Sequence, residues 1–165
     1  DYNRIIKDIG SHSAEGFLDA LREHFDVEEA DDHSSAKPAA AREFALYLEK
    51  KWYRLRVNSS LAANIDDSDP VQSLDVSIMQ QAILTPLLDI KDQRTDKRID
   101  FVGGIRGLQE LQKRVDSGEW QAAIALYPTS IESLMDIADA NEVMPPKSTW
   151  FEPKLKSGLV THVLD

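Results

Sequence analysis

The sequence predicts a single α+β domain over residues 1–165: a mixed β-sheet, built from a β-hairpin and a βαβα section, with helices packed on it. Three observations carry that prediction. Residues 53–57 alternate apolar and polar, and 44–48 (Phe-Ala-Leu-Tyr-Leu) are read with the same period of two, as the strands of a hairpin with one buried face. Residues 99–139 read strand, helix, strand, helix in regular order. The chain of 165 residues is 42% hydrophobic and 29% charged, enough apolar content to fill one core and too much for wholesale disorder.

The elements follow in order. Ser13 is placed to cap a helix carrying Phe17, Leu18, Leu21 and Phe25, with Gly16 a small cost in its first turn. A short strand is expected over 25–27. Residues 28–41 are rich in polar residues, alanine and serine, include Pro38, and read as an exposed mobile loop. Its Glu28, Glu29, Asp31 and Asp32 lack the spacing of a calcium loop, so no metal site is expected. The hairpin comes next, with Glu49, Lys50, Lys51 and Trp52 between its strands and one face buried. Arg54 and Arg56 share the other face, which suits solvent or a partner domain.

A second mobile loop is expected over about 61–70. Asp69-Pro70 is suited to start a helix that carries Leu74, Val76, Ile78, Met79, Ile83, Leu87 and Leu88. Pro86 should kink or end it near Thr85. A strand over 99–102 closes at Gly103-Gly104, and a helix over about 106–115 turns Leu108, Leu111 and Val115 to one side. Gly118 stands at its stop. Residues 122–127 form a buried strand. Thr129 with Glu132 makes a capping box for a helix to about Asp139, with Ile131, Leu134, Met135 and Ala138 inward. Asn141 stops it. Residues 144–149 form a stiff Pro-Pro loop. Trp150-Phe151 open a strand, and 159–163 close the fold after a Ser157-Gly158 turn.

Charge and composition narrow the function classes. The net charge is −10, which repels nucleic-acid backbones and anionic membranes alike. No apolar run reaches the ~18 residues of a membrane helix. Cysteine is absent, which removes disulfides, zinc-thiolate sites and thiol nucleophiles, and suits a reducing cytoplasm. His12, His24, His33 and His162 do not pair at metal-ligand spacing, and Ser148 lacks a nucleophile elbow. Asp1-Tyr2-Asn3-Arg4, without Met or leader, reads as an excised boundary.

Two stretches have the chemistry to hold an anion. In the first, a strand ends in Gly103-Gly104 and feeds a helix, so backbone N–H groups at the helix start could meet a ligand, with Arg94, Arg98 and Arg106 adding charge. The spacing is neither GxGxxG nor a P-loop, and the same glycines would serve a tight turn alone. In the second, Lys147, Ser148 and Thr149 sit between Pro145-Pro146 and Trp150-Phe151. A lysine beside two hydroxyls can grip a phosphate or carboxylate, or the prolines simply fix a crossing. Neither stretch identifies a catalytic residue or a cofactor.

The same stretches carry a resemblance. RTDKRIDFVGGIRG (94–107), RVDSGE (114–119), ALYPTSIESLM (125–135) and EVMPPKSTWFEPKLKSGL (142–159) stand in order, with LDVSIMQ, KWYRLR and the opening DYNRIIKD. Together they resemble the bacterial and archaeal family known as domain of unknown function 1015, and the chain its C-terminal domain. The resemblance implies a longer protein. Its N-terminal half would carry an Asp-Gly-His-His-Arg-type segment similar to the nucleotide-handling motif of ParB-like and sulfiredoxin-like proteins, a group that includes a free-serine kinase. It implies that half as a partner, and an inactive fragment if chemistry depends on it. The expected function is an accessory domain of a cytosolic protein that binds a small anionic, phosphorylated or amino-acid-like metabolite. The alternative is a structural or homodimer-forming domain with no ligand of its own.

Overall fold

The computed structural model describes residues 1–149. The strands expected from Trp150-Phe151 and over 159–163, and His162, lie outside the described residues. In chain order the elements are β1 (Tyr2–Ile6), α1 (Ala14–Arg22), β2 (Phe25–Ala30), α2 (His33–Ala36), β3 (Glu43–Leu48), β4 (Lys51–Val57) and α3 (Ser59–Ala62). There follow α4 (Asp75–Met79), a π-turn (Gln80–Leu84), α5 (Thr85–Leu88), β5 (Ile99–Gly103), a 3-10 turn (Gly104–Arg106), α6 (Gly107–Asp116), β6 (Ala122–Leu126) and α7 (Ile131–Asp139). No helix among them is long and apolar enough to cross a membrane.

The class is α+β, but the sheet is antiparallel, not mixed. Its order is β2-β4-β3-β6-β1-β5, and each pairing is antiparallel. The expected βαβα section exists as β5-α6-β6-α7. Its two strands run the same way, yet they do not touch, because β1 lies between them and opposes both. The run YNRII breaks its apolar character at Asn3-Arg4, which hides β1 from a reading by periodicity.

The hairpin is tighter than expected. Glu49 and Lys50 both take positive φ (48° and 64°), the two-residue turn whose twist matches the strands. It is also buried on both faces. Phe44, Leu46 and Leu48 enter a core under α1 and α4, while Ala45 and Tyr47 enter a second core under α2 and α6. The loop expected from residue 28 starts later: Glu28, Glu29 and Ala30 continue β2 opposite β4, and Asp32 caps α2 through Ser34 and Ser35 N–H.

Pro86 does not end its helix. The turn before it widens: Thr85 N–H donates to Gln80 O, five residues back, and the helix runs to Leu88. Proline brings no N–H and crowds the carbonyl four residues earlier, so a π-turn relieves both faults. Asp69 caps the turn before α4 through Val71 and Gln72 N–H, not the helix itself. Ser130, not Thr129, caps α7, accepting from Ser133 N–H at 3.0 Å. Ile137 is the buried residue of α7, whereas Ile131 and Met135 are 73% and 59% exposed. The helix offers two apolar stripes, and the one with Ile137 faces the core.

Candidate anion-binding site

The first predicted stretch opens into a cleft. β5 ends at Gly103, the chain makes its 3-10 turn, and α6 begins at Gly107 with φ 71° and ψ 171°. That region is closed to residues with a side chain, so glycine is required there. The Gly107 N–H donates to Gly104 O and no side chain caps α6, so the next N–H groups of its first turn and the positive end of its dipole are left open. Facing that end across the sheet are α2 and the residues after it. Gly104, Arg106, Gly107, Leu108 and Gln109 on one side, and His33, Ser34, Lys37 and Pro38 on the other, line a cleft of about 420 Å³ together with Leu126, Pro128 and Asp1.

The electrostatics are those of a local positive site on an acidic molecule. Arg106 and Lys37 bring two cationic side chains to one cleft, and the Gln109 amide lies 3.2 Å from His33 Nε2. Asp1 brings one opposing charge. Its backbone carbonyl accepts from Gly104 N–H at 3.0 Å, and its carboxylate lies where a side chain on Gly104 would have to go, 1.5 Å from a Cβ placed there.

The remaining predicted residues do not join this cleft. Arg98 clasps Asp96 and donates to Leu88 O and Asp89 O at 2.9 and 3.2 Å, closing the last turn of α5. The carboxylate holds the Arg98 pKa above its ordinary value, and Arg98 in turn lowers that of Asp96. Arg94 is held in the same way by Asp92 two residues earlier. It opens onto a separate hollow with Gln80, Gln93, Pro145 and Pro146.

Lys147 lies on the opposite face of the sheet. Its Nζ is 5.3 Å from the Phe101 ring and 5.6 Å from the Tyr2 ring, and its φ is 61°. Ser148 is buried and donates to Pro145 O, its own carbonyl accepts from Thr129, and Thr149 is half-buried beside it. Neither Lys147 nor Arg98 lines this cleft or the hollow beside Arg94.

What pins the second loop is a residue that sequence reasoning passed over. Arg4 is fully buried. It donates to Gln93 Oε1 at 2.8 Å, to Lys147 O at 2.9 Å and to Tyr2 O, and its guanidinium is 5.0 Å from the Phe101 ring. Burial lowers its pKa, but three acceptors and an aromatic face keep a guanidinium charged at neutral pH. Its neighbour Asn3, also fully buried, points to the α6 side. Lys37, His33, Asn3 and Arg4 are all absent from the predicted set. The first two sit in a stretch that read as loop, and the last two in a strand that periodicity did not find.

Among the described residues no group of acidic and histidine side chains is arranged to hold a metal ion. Comparison with known proteins gives a family, described as a protein of unknown function (DUF1015), whose match covers residues 1–77. Among curated proteins none matches. Of solved structures, two mutants of a free serine kinase in complex with AMP are similar at 14% and 15% identity, with TM-scores of 0.47 and 0.48. Each alignment covers 89% of this chain and 50% of that one. A conserved hypothetical protein from Pyrococcus furiosus is similar at 18% identity and a TM-score of 0.45, covering 89% of this chain and 52% of its own. The chain thus spans about half the length of the solved structures it matches.

Proposed function

We propose, for a chain whose residues 1–77 match the model of a protein family of unknown function, DUF1015, that it is an accessory domain binding a small anionic metabolite at the start of α6. The carrying observation is the cleft itself: an uncapped helix N-terminus with Arg106 and Lys37 converging on it. Backbone N–H groups and two cations supply charge-assisted bonds to a phosphate or carboxylate. Pro38, Pro128 and Leu108 supply apolar wall for the rest of the molecule. Phosphorylated and amino-acid-like metabolites both meet this description. A cysteine-free chain suits a reducing cytoplasm, which we take as its compartment.

Calorimetric titration with phosphoserine, serine and nucleotides tests the reading. Binding is expected for at least one anionic member, weakened about tenfold by Arg106→Ala and again by Lys37→Ala, the loss of a charge-assisted bond each. Lys147→Ala should leave it unchanged. Heat signals absent for the whole panel, or insensitive to Arg106 and Lys37, contradict it.

A second reading is favoured by α7. Its stripe of Ile131 and Met135, with Val143 83% exposed nearby, suits a partner: the N-terminal half of a longer chain, or a second copy. Met135→Lys with Ile131→Lys would leave the sedimentation coefficient of this chain unchanged if the stripe is free in it, and lower it if the chain dimerises there.

A further inference from the structure

Asn3 is fully buried where β1 and β6 part. Their ladder runs only from Ile6 to Arg4. Beyond it the Leu126 N–H donates to Asn3 Oδ1, at 3.1 Å, in place of a backbone carbonyl. That bond settles which end of the amide is oxygen, since an N–H cannot donate to Nδ2. Nδ2 then carries two donors with no acceptor among the described residues. Native proteins leave few buried donors in that state.

Its position links the orphan to the cleft. Asn3 lies opposite Val102, and alternation puts it with Ile5 and Val102 on the α6 side of the sheet. Leu126, which it holds, lines the cleft. So do Asp1 and Gly104, joined to each other at the end of the neighbouring strand. The free donor is therefore on the α6 face of the sheet, on a side chain bonded to one residue that lines the cleft and two positions along the chain from another.

We propose that Asn3 is the buried end of the anion site: one ordered water between its side chain and the cleft accepts from Nδ2 and donates to an oxygen of the bound group. Asn3 is a positioning residue in this scheme, and the inference rests on the anion reading of the cleft. It adds the ligand's class. The group beside α6 is a compact oxyanion, carboxylate or phosphate, because the water spends a hydrogen on it and needs an acceptor there. Water bridging of this kind is common where a buried polar group borders a pocket.

The test is ¹⁵N-edited NMR of the full chain, titrated with inorganic phosphate and, separately, with acetate. The backbone amides of Gly107, Leu108 and Gln109 are followed together with the Asn3 side-chain NH₂. The Asn3 signal is expected to move in step with the α6 amides. Phosphate alone doing so assigns the phosphate class, acetate alone the carboxylate class. Asn3→Asp keeps an oxygen for Leu126 N–H but offers no donor, and should weaken binding about tenfold or more. If that variant does not fold, the wild-type side-chain signal decides by itself. Movement of the α6 amides with a stationary Asn3 signal overturns the inference and leaves the anion reading standing. Stationary signals at both places overturn both.

Discussion

Asp75 is a carboxylate placed against its own interest. It accepts from Arg42 N–H at 2.8 Å at the start of α4, and burial pushes its pKa up to about 6 despite that bond. The native state thus holds a proton that the unfolded chain, with the ordinary value of 3.8, has already lost. The contribution of Asp75 to stability should be fully present below about pH 4 and be lost as pH rises from there through about 6, by roughly 3 kcal/mol. Asp75→Asn keeps an oxygen for Arg42 and removes the penalty. Chemical denaturation should find it more stable than wild type at pH 7 and equal to it near pH 4. Equal stability at both would refute the assignment. Asn3 and Arg4 show what was legible at this scale. Their residue types stood in plain view, but a buried polar residue is told from an exposed one only by what surrounds it. For Arg4 that is Gln93 and Lys147, 89 and 143 residues away.

At the scale of the element, α6 is the part on which the site depends. Leu108, Leu111 and Val115 seat it on the sheet, each worth on the order of 1.5–3 kcal/mol when buried. Tyr47 OH donates to Asp116 at 2.9 Å, and Trp52 Nε1 to Gln112 at 3.2 Å, along the same contact. Burial and the Asp116 carboxylate raise the Tyr47 pKa to about 12, so this bond survives through the neutral range. The helix start depends on Gly107. Gly107→Ala is expected to cost about 1–3 kcal/mol in thermal or chemical unfolding, because alanine cannot take that backbone geometry without strain. An unchanged midpoint would mean that the turn rearranges freely and is no fixed cradle. This element was well read from sequence: its apolar spacing and flanking glycines are local signals. The cleft was half read, since Gly104 and Arg106 are contiguous with α6. Lys37 and His33 arrive from another segment through the pairing of β2 with β4. Arg94 and Arg98 were misplaced for a local reason, each having a carboxylate two residues before it that claims the guanidinium.

For the whole molecule, the order β2-β4-β3-β6-β1-β5 makes the first strand the keystone of the last three. β1 supplies the ladder partners of both β5 and β6, and the buried Ile5 and Ile6 belong to different cores. Removing residues 1–6 should abolish cooperative unfolding and near-ultraviolet dichroism, while removal of an exposed segment of that length would not. Retention of a sharp transition would contradict the topology. The sequence yielded the class and the hairpin through short-range alternation. Insertion of β1 between β6 and β5 is non-local, and only the assembled sheet reveals it. That insertion also brings Asp1 to the cleft, so the proposed site belongs to the fold and not to one motif. An anion site on a chain of net charge −10 must be local, and its position is what most needs measuring. A crystal structure of the chain grown with phosphoserine measures it directly. The account predicts an oxyanion within hydrogen-bonding distance of the first N–H groups of α6, with Arg106 and Lys37 turned toward it. Ligand density beside Lys147 on the opposite face, or an empty cleft at saturating ligand, would contradict it.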